Sequence, residues 1–115
     1  MEPIFHIAER SRFENAKHEY TPESFSREGF VHCSLRDQVL PTANYLFGGR
    51  EDDGAGLVIL EISPENAGSP VVVEDLYDAG EKFPHLYGAL PKSAVVRTYR
   101  LAVGPEGQYT GMELE

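Results

Sequence analysis

Histidine and serine side chains interrupt an otherwise apolar segment at residues 29–34. Because side chains alternate between the two faces of a strand, a strand here places Phe30, His32 and Ser34 on one face. An imidazole beside a hydroxyl can exchange protons with a polar ligand, and the aromatic ring can stack on one. We therefore predict that this face forms a wall of a ligand cleft. The alternative is a structural histidine that caps the following helix.

A second segment that combines aromatic residues with a histidine lies at 83–88. Pro84 favours extended backbone at the residue before it, and an extended segment places Phe83, His85 and Tyr87 on one face. Two aromatic rings beside an imidazole form a stacking surface for a flat ring such as adenine or nicotinamide. The alternative is an aromatic loop that packs on the core as a lid.

Sequence spacing argues against a metal site and against a serine hydrolase. His6, His32 and His85 lack the short spacings of zinc ligands and have no adjacent acidic residue at 32 or 85, so we predict no bound metal. His18 lies in a charged segment and is expected to be solvated. Ser34 lacks the glycine-flanked turn of hydrolase nucleophiles, and the chain has no glycine-rich phosphate-binding motif.

Net charge limits the kinds of partner that the protein can bind, and cysteine content indicates the compartment in which it occurs. Ten Lys and Arg stand against nineteen Asp and Glu, for a net charge of −9, and no basic run is present. Nucleic-acid binders need basic patches, so we predict no DNA partner and disfavour a long RNA, whereas a small nucleotide remains compatible. The lone Cys33, expected to be buried, and the lack of a long apolar segment predict a cytoplasmic protein without a membrane partner.

The elements that position these residues follow from apolar periodicity and turn signals. Strands are predicted at 3–8, 30–34, 57–62, 71–73 and 95–101, and helices at 12–18, 22–29 and 35–47. Residues 75–94 are predicted to form an irregular loop. Residues 104–115 are assigned to a C-terminal tail without structural weight, its last two residues resembling an expression-vector remnant. The pattern predicts one α+β domain over 1–103, with a mixed, mostly antiparallel sheet and helices in its N-terminal half.

With these residues assembled, the chain resembles the domain of unknown function 952 family of small bacterial and plant proteins. The similarity extends from the strand at 5–7 to the strand at 95–101. Its most specific motifs are Gly-Phe-Val-His-Cys-Ser at 29–34 and Phe-Pro-His-Leu-Tyr-Gly at 83–88. The family supplies no established activity.

The segments 31–34, 48–50 and 57–62 are also similar to one stretch of the RNA 2′-phosphotransferases, members of the ADP-ribosyltransferase-like superfamily. In those proteins a His-x-Ser strand leads through a helix and a Gly/Arg turn to an apolar strand. The resemblance implies a curved, mostly antiparallel split sheet with NAD in the cleft. It also implies that His6, in an aromatic-histidine strand, contacts the nicotinamide or its ribose.

The resemblance implies that the protein binds NAD or an ADP-ribose-type nucleotide. As an enzyme it would be an NAD-dependent ADP-ribosyl or phosphoryl transferase that acts by transfer or hydrolysis at the ribose C1 carbon. The residues expected to serve catalysis are His32, Ser34 and His85, and those expected to bind the cofactor are His6, Phe30 and Tyr87.

Two departures from the superfamily keep a second function open. No full set of phosphate-binding arginines can be matched. No acidic residue lies within 83–88, where a late catalytic glutamate is expected, and Glu61, Glu74 and Glu81 match no motif. The alternative is a non-catalytic ligand-binding or regulatory domain that has the fold without the chemistry.

Negligible affinity for nucleic-acid duplexes is the first testable expectation. The net charge of −9 repels phosphate backbones, so duplex DNA or RNA should bind weakly or not at all at physiological salt. Fluorescence anisotropy with labelled duplexes measures this. Submicromolar, salt-sensitive binding would contradict it.

Overall fold

The computed structural model describes all 115 residues as nine strands, three short α-helices and two single 3-10 turns. The strands are β1 (Ile4–Glu9), β2 (Glu19–Tyr20), β3 (Val31–His32), β4 (Leu57–Ile62), β5 (Val71–Glu74), β6 (Phe83–Leu86), β7 (Leu90–Pro91), β8 (Val95–Val103) and β9 (Tyr109–Leu114). The helices are α1 (Arg10–Asn15), α2 (Phe25–Glu28) and α3 (Val39–Phe47). No helix has the length and apolar composition that a membrane crossing requires.

Antiparallel pairing organises the strands into three sheets, which confirms the α+β class. The largest has the order β1-β4-β8-β9, the second the order β3-β6-β5, and β2 pairs with β7. A single bridge joins the two larger sheets: Phe5 and Ser34 exchange backbone hydrogen bonds of 2.8 and 2.7 Å. Beyond this bridge the two sheets diverge, and the space between them is available for a site.

The apolar run Leu57–Ile62 forms the centre of the molecule, as the sequence predicts. All six residues of β4 are buried, because both faces of this inner strand are covered. Leu60 packs in a core that faces β3 and β6, and Ile59 packs in a second core beneath α3. The first core also contains Cys33, which is buried as predicted.

His6 braces the junction between the sheets. A backbone carbonyl can only accept, so His6 Nδ1–H donates to the His32 carbonyl at 2.6 Å, and Tyr20 O–H donates to Nε2 at 2.9 Å. Burial lowers the pKa of His6 to about 4, outweighing the opposing hydrogen bond to the His32 carbonyl. The imidazole is therefore neutral at physiological pH and links β1, β2 and β3.

The first two helices are shorter than predicted. The helix predicted at 12–18 begins earlier, because β1 runs directly into α1 at Arg10, and Glu9 is the N-cap residue without a side-chain cap. The second helix begins at Phe25 instead of Pro22. It ends at Gly29, as predicted, and the φ of +78° at this position is one that glycine adopts without steric cost.

The third helix starts four residues later than predicted. The side-chain oxygen of Gln38 accepts the backbone N–H of Leu35 at 2.9 Å, which favours a turn in the residues before the helix. Pro41 then falls in the first turn of α3, where a backbone N–H has no helical partner and its loss costs nothing. Pro41 is therefore compatible with a helix that begins at Val39.

Two segments expected to lack regular structure are strands. The predicted loop at 75–94 contains β6 and β7, because Phe83–Leu86 pairs with both β3 and β5. The predicted tail contains β9, which pairs with β8. Tyr109 explains why this segment docks: it is 3% exposed, and its hydroxyl donates to the Phe47 carbonyl at 2.9 Å. The assignment of 104–115 to a tail without structural weight was wrong.

The neutral brace at His6 predicts a specific loss of stability in acid. Between about pH 6.5 and pH 4 the unfolded chain gains a proton at residue 6 that the folded protein excludes, so stability falls as the pH falls. This single group should cost roughly 3 kcal/mol of unfolding free energy across that window. We expect His6→Gln to have a lower free energy of unfolding than the wild type at pH 7. We also expect this free energy to fall less between pH 7 and pH 4 than it does in the wild type. Urea denaturation at stepped pH measures both.

The matched control for this experiment is His18→Gln, which removes an exposed imidazole. This variant should keep the pH dependence of the wild type. Equal pH slopes in His6→Gln and the wild type would contradict the assignment of the acid-sensitive group.

Candidate functional site

A cleft of about 770 Å³ lies where the two larger sheets diverge. Its walls come from β1, α3, the residues around β3, and the segment from Glu74 to His85. The structure brings four of the residues singled out from sequence into this lining, although they lie far apart in the chain: His6, His32, Ser34 and His85.

His32 and His85 form the centre of the site. They are register partners in the antiparallel pairing of β3 with β6, and their rings meet edge to face at 5.4 Å between centroids. The ring of Phe30 packs against both imidazoles, at 4.7 and 4.4 Å. The orientation of the two side chains is therefore fixed by strand register and by one shared aromatic contact.

Each of these histidines is hydrogen-bonded to a glutamate. His32 Nε2 lies 2.9 Å from Glu28 Oε1, and His85 Nδ1 lies 2.8 Å from Glu74 Oε2. A tyrosine donates to each carboxylate: Tyr77 O–H to Glu28 at 3.0 Å and a second tyrosine hydroxyl, that of residue 87, to Glu74. We call these arrangements the two Tyr–Glu–His chains.

The two Tyr–Glu–His chains leave one nitrogen on each imidazole without a protein partner. Because an ionised carboxylate only accepts, neutral His32 donates from Nε2 and neutral His85 donates from Nδ1. The remaining nitrogens, Nδ1 of His32 and Nε2 of His85, have no hydrogen bond within the protein. No fully buried polar side-chain atom lacks a partner, so Nε2 of the nearly buried His85 still contacts open space. Each histidine can therefore accept a proton or a hydrogen bond from a ligand.

Both carboxylates are held in the ionised form. Burial opposes ionisation of Glu28, but hydrogen bonds from His32 and Tyr77 outweigh it and hold its pKa below the ordinary value. Hydrogen bonds from Tyr87 and then from His85 lower the pKa of Glu74. Ionised carboxylates fix the ring tautomers and stabilise a positive charge on the imidazoles.

The cleft is also bordered by an unpaired strand edge. Arg10 N–H donates to the Gly56 carbonyl, so the even-numbered residues of β1 bond to β4, and Phe5 directs its backbone groups outward to Ser34. By the same alternation Ile7, which lines the cleft, directs its N–H and C=O outward beyond the bridge. A ligand in the cleft therefore meets one backbone donor and one backbone acceptor.

Three residues expected to act directly on a ligand have other contacts. Phe30 is 5% exposed and Tyr87 bonds to Glu74, and neither is among the residues that line the cleft. His6 lines the cleft, but both of its ring nitrogens are bonded to the protein. Ser34 lies in the lining as expected, and its hydroxyl has no protein partner.

The acidic residues were the part of the site that sequence reasoning missed. Of the three glutamates considered, Glu74 contacts His85 and Glu81 lines the cleft, whereas Glu61 lies outside it and bonds to Arg97. Glu28 was not considered, although its i, i+4 spacing to the next histidine was a usable signal. Glu74 could not be paired with His85 from sequence, because β6 was taken for part of a loop. No group of three or more His, Cys, Asp or Glu side chains is arranged to hold a metal.

Solved structures with the same fold are available for comparison. The crystal structure of protein CC0527 from Caulobacter crescentus matches this chain with a TM-score of 0.78 at 30% identity, over 94% of this chain and 93% of that one. The solution NMR structure of CC0527 matches with a TM-score of 0.75 at 29% identity, over 94% and 91% of the two chains. These structures share the fold over nearly its whole length.

No curated protein matches the chain. The family model described as "Protein of unknown function (DUF952)" matches residues 6–98, which include both specific motifs and both Tyr–Glu–His chains. The chain therefore belongs to the DUF952 family.

Proposed function

We propose that the cleft binds a small organic ligand, an NAD or ADP-ribose-type nucleotide, and that His32 and His85 exchange protons with it. The observation that carries this proposal is the pair of adjacent imidazoles, each fixed by a glutamate at one nitrogen and without a protein partner at the other. His6, by contrast, bonds within the protein at both ring nitrogens. Two histidines in a cleft that each leave one ring nitrogen without a protein partner are suited to bind a ligand.

The arrangement suits acid–base chemistry near neutral pH. An imidazole with one nitrogen bonded to a carboxylate keeps a fixed tautomer and orientation, and its other nitrogen can accept a proton from a ligand. Because His32 and His85 are in contact, one can act as a base while the other donates, and Ser34 adds a hydroxyl. Proton transfer by positioned groups of this kind contributes about 10²–10⁴-fold to a rate.

The nucleotide class rests on the resemblance to the ADP-ribosyltransferase-like superfamily. Two antiparallel sheets that share one bridge and diverge around a cleft are compatible with the split sheet of that superfamily. Bound NAD would supply a labile bond at the ribose C1 carbon. In transfer or hydrolysis, an acceptor hydroxyl or water would bond to C1 as the bond to nicotinamide breaks and nicotinamide leaves as a neutral base. His32 or His85 would accept the proton of that hydroxyl or water, and the carboxylate of Glu74 would stabilise positive charge near the ribose.

A second candidate is a non-catalytic ligand-binding domain. The brace at His6 favours it, because the residue expected on the nicotinamide or its ribose has both ring nitrogens bonded within the protein. The lining also contains one arginine, Arg12, whose Nε donates to the Thr21 carbonyl. Binding would then use the free imidazole nitrogens and the β1 edge without a reaction at C1.

Ligand binding is tested by thermal stabilisation. A ligand that binds only the folded state at a hundredfold excess over its Kd adds about 2.7 kcal/mol, which raises the Tm of a domain of this size by several degrees. We expect NAD or ADP-ribose to produce such a shift, and His32→Ala to abolish it. The control His18→Ala, which removes an exposed imidazole, should retain it. If millimolar NAD and ADP-ribose leave the Tm of the wild type unchanged, the nucleotide proposal fails.

Nicotinamide release separates the enzyme from the binding domain. If the histidines act as proton acceptors, the wild type should release nicotinamide from NAD, measured by chromatography, and His32→Gln should reduce the rate by about 10²-fold or more. Glutamine retains a donor toward Glu28 but cannot take up a proton. Stabilisation by NAD without any nicotinamide release would select the non-catalytic domain.

A further inference from the structure

The charged side chains of the cleft are almost all acidic. Five carboxylates and one guanidinium belong to its lining, and no lysine does: Glu9, Glu23, Glu74, Asp75, Glu81 and Arg12. One carboxylate, Glu23, is neutralised by Arg27 at 2.8 Å. The other four have no lysine or arginine within salt-bridge distance, so the cleft holds uncompensated negative charge.

Three of these carboxylates, Glu74, Asp75 and Glu81, are held in place by hydrogen bonds. The backbone N–H groups of Ala79 and Gly80 donate to Asp75 at 2.9 and 2.8 Å, and they lower its pKa. Gln38 donates to Glu81 at 3.0 Å. Negative charge that is fixed by neutral donors is not cancelled, so it attracts a cation that enters the cleft.

Aromatic and apolar side chains surround this charge. Tyr45 and Leu46 of α3 are 89% and 58% exposed, and Leu76 and Tyr77 of the facing segment are 48% and 62% exposed. The ring of Tyr77 also stacks on His32, with 21° between the planes. Exposed aromatic faces beside carboxylates bind organic cations well, because the quadrupole of the ring attracts a weakly hydrated positive charge.

A buried polar group identifies the inner end of the cleft as a place for a ligand. The side chain of His85 is 3% exposed, and Nε2 has no partner within the protein. This nitrogen contacts open space in the cleft, so a ligand or solvent in that space can bond to it. Its other nitrogen bonds to Glu74, so a group bound here lies close to an ionised carboxylate.

We propose that the cleft selects ligands with a positively charged, flat organic group and disfavours anionic ones; this rests on the proposed function of the cleft as a ligand site. The cationic group lies against the carboxylates and aromatic rings, and any phosphate of the ligand lies outside this acidic part. A hydrated metal ion is a poorer occupant, because no three ligating side chains converge.

Ligands that share one ring shape but differ in charge test whether the cleft selects by charge. The cation 1-methylnicotinamide, neutral nicotinamide and anionic nicotinate can be titrated by NMR against the isotope-labelled protein, with ADP-ribose as a separate arm. We expect the cation to bind at least about tenfold more tightly than the neutral ring and the anion to bind most weakly. The difference should shrink between about 20 mM and 300 mM salt, since exposed charges are screened.

A pair of charge-removing variants provides the matched control. Glu9→Gln/Glu81→Gln removes two carboxylates of the cleft, and Glu51→Gln/Glu106→Gln removes two exposed carboxylates outside it. The first variant should weaken binding of 1-methylnicotinamide several-fold and leave nicotinamide unchanged. The second should leave both unchanged, because it alters net charge equally without altering the cleft.

The outcomes separate this inference from the proposed function. If ADP-ribose or nicotinamide binds in the cleft and the cation binds no more tightly, charge selection is wrong and the ligand site stands. If the cation binds and ADP-ribose does not, charge selection stands and the nucleotide assignment is wrong. If none of the probes binds, both proposals are overturned.

Discussion

The short junction between β1 and residues 32–34 controls the geometry of the whole molecule. Phe5 and Ser34 pair through their backbones, and His6 reaches the carbonyl of His32 at 2.6 Å. One residue pair is too little to fuse two sheets into one, but enough to fix their positions along one edge. Beyond it the sheets separate, and the free edge of β1, the imidazole of His32 and the hydroxyl of Ser34 all face the resulting space. The junction therefore sets where the cleft opens, whereas the pairing of β3 with β6 sets the register of His32 and His85.

Three histidines near one another differ in function because their hydrogen bonds differ. Burial keeps His6 uncharged against the opposing hydrogen bond to the His32 carbonyl, so its imidazole links the strands as a neutral group. His32 and His85 each bond to a carboxylate at one ring nitrogen and have no protein partner at the other. Residue type alone does not make this distinction. The hydrogen-bond partner at each ring nitrogen distinguishes His6, which stabilises the fold, from His32 and His85, which can contact a ligand.

Sequence reasoning predicted the part of the site that depends on alternation along single strands. The placement of His32 and Ser34, the burial of Cys33 and the central position of residues 57–62 follow from local pattern. The missing part depends on pairing between distant segments. Pro and Gly signals made 75–94 look irregular, so β6 had no register and Glu74 could not be placed beside His85. The same limit hid β9, whose docking rests on the tertiary contacts of Tyr109.

The acidity of the cleft has an electrostatic cost for the folded protein. Glu74 and Asp75 lie one after the other beside an imidazole, with hydrogen bonds that hold both in the charged form. Placing adjacent like charges at a partly enclosed surface opposes folding, and apolar or neutral side chains would fill the same positions at lower electrostatic cost. A cationic group bound between them would reverse the sign of that interaction. The carboxylates that repel one another in the protein without a ligand are therefore the groups that would attract a cationic ligand.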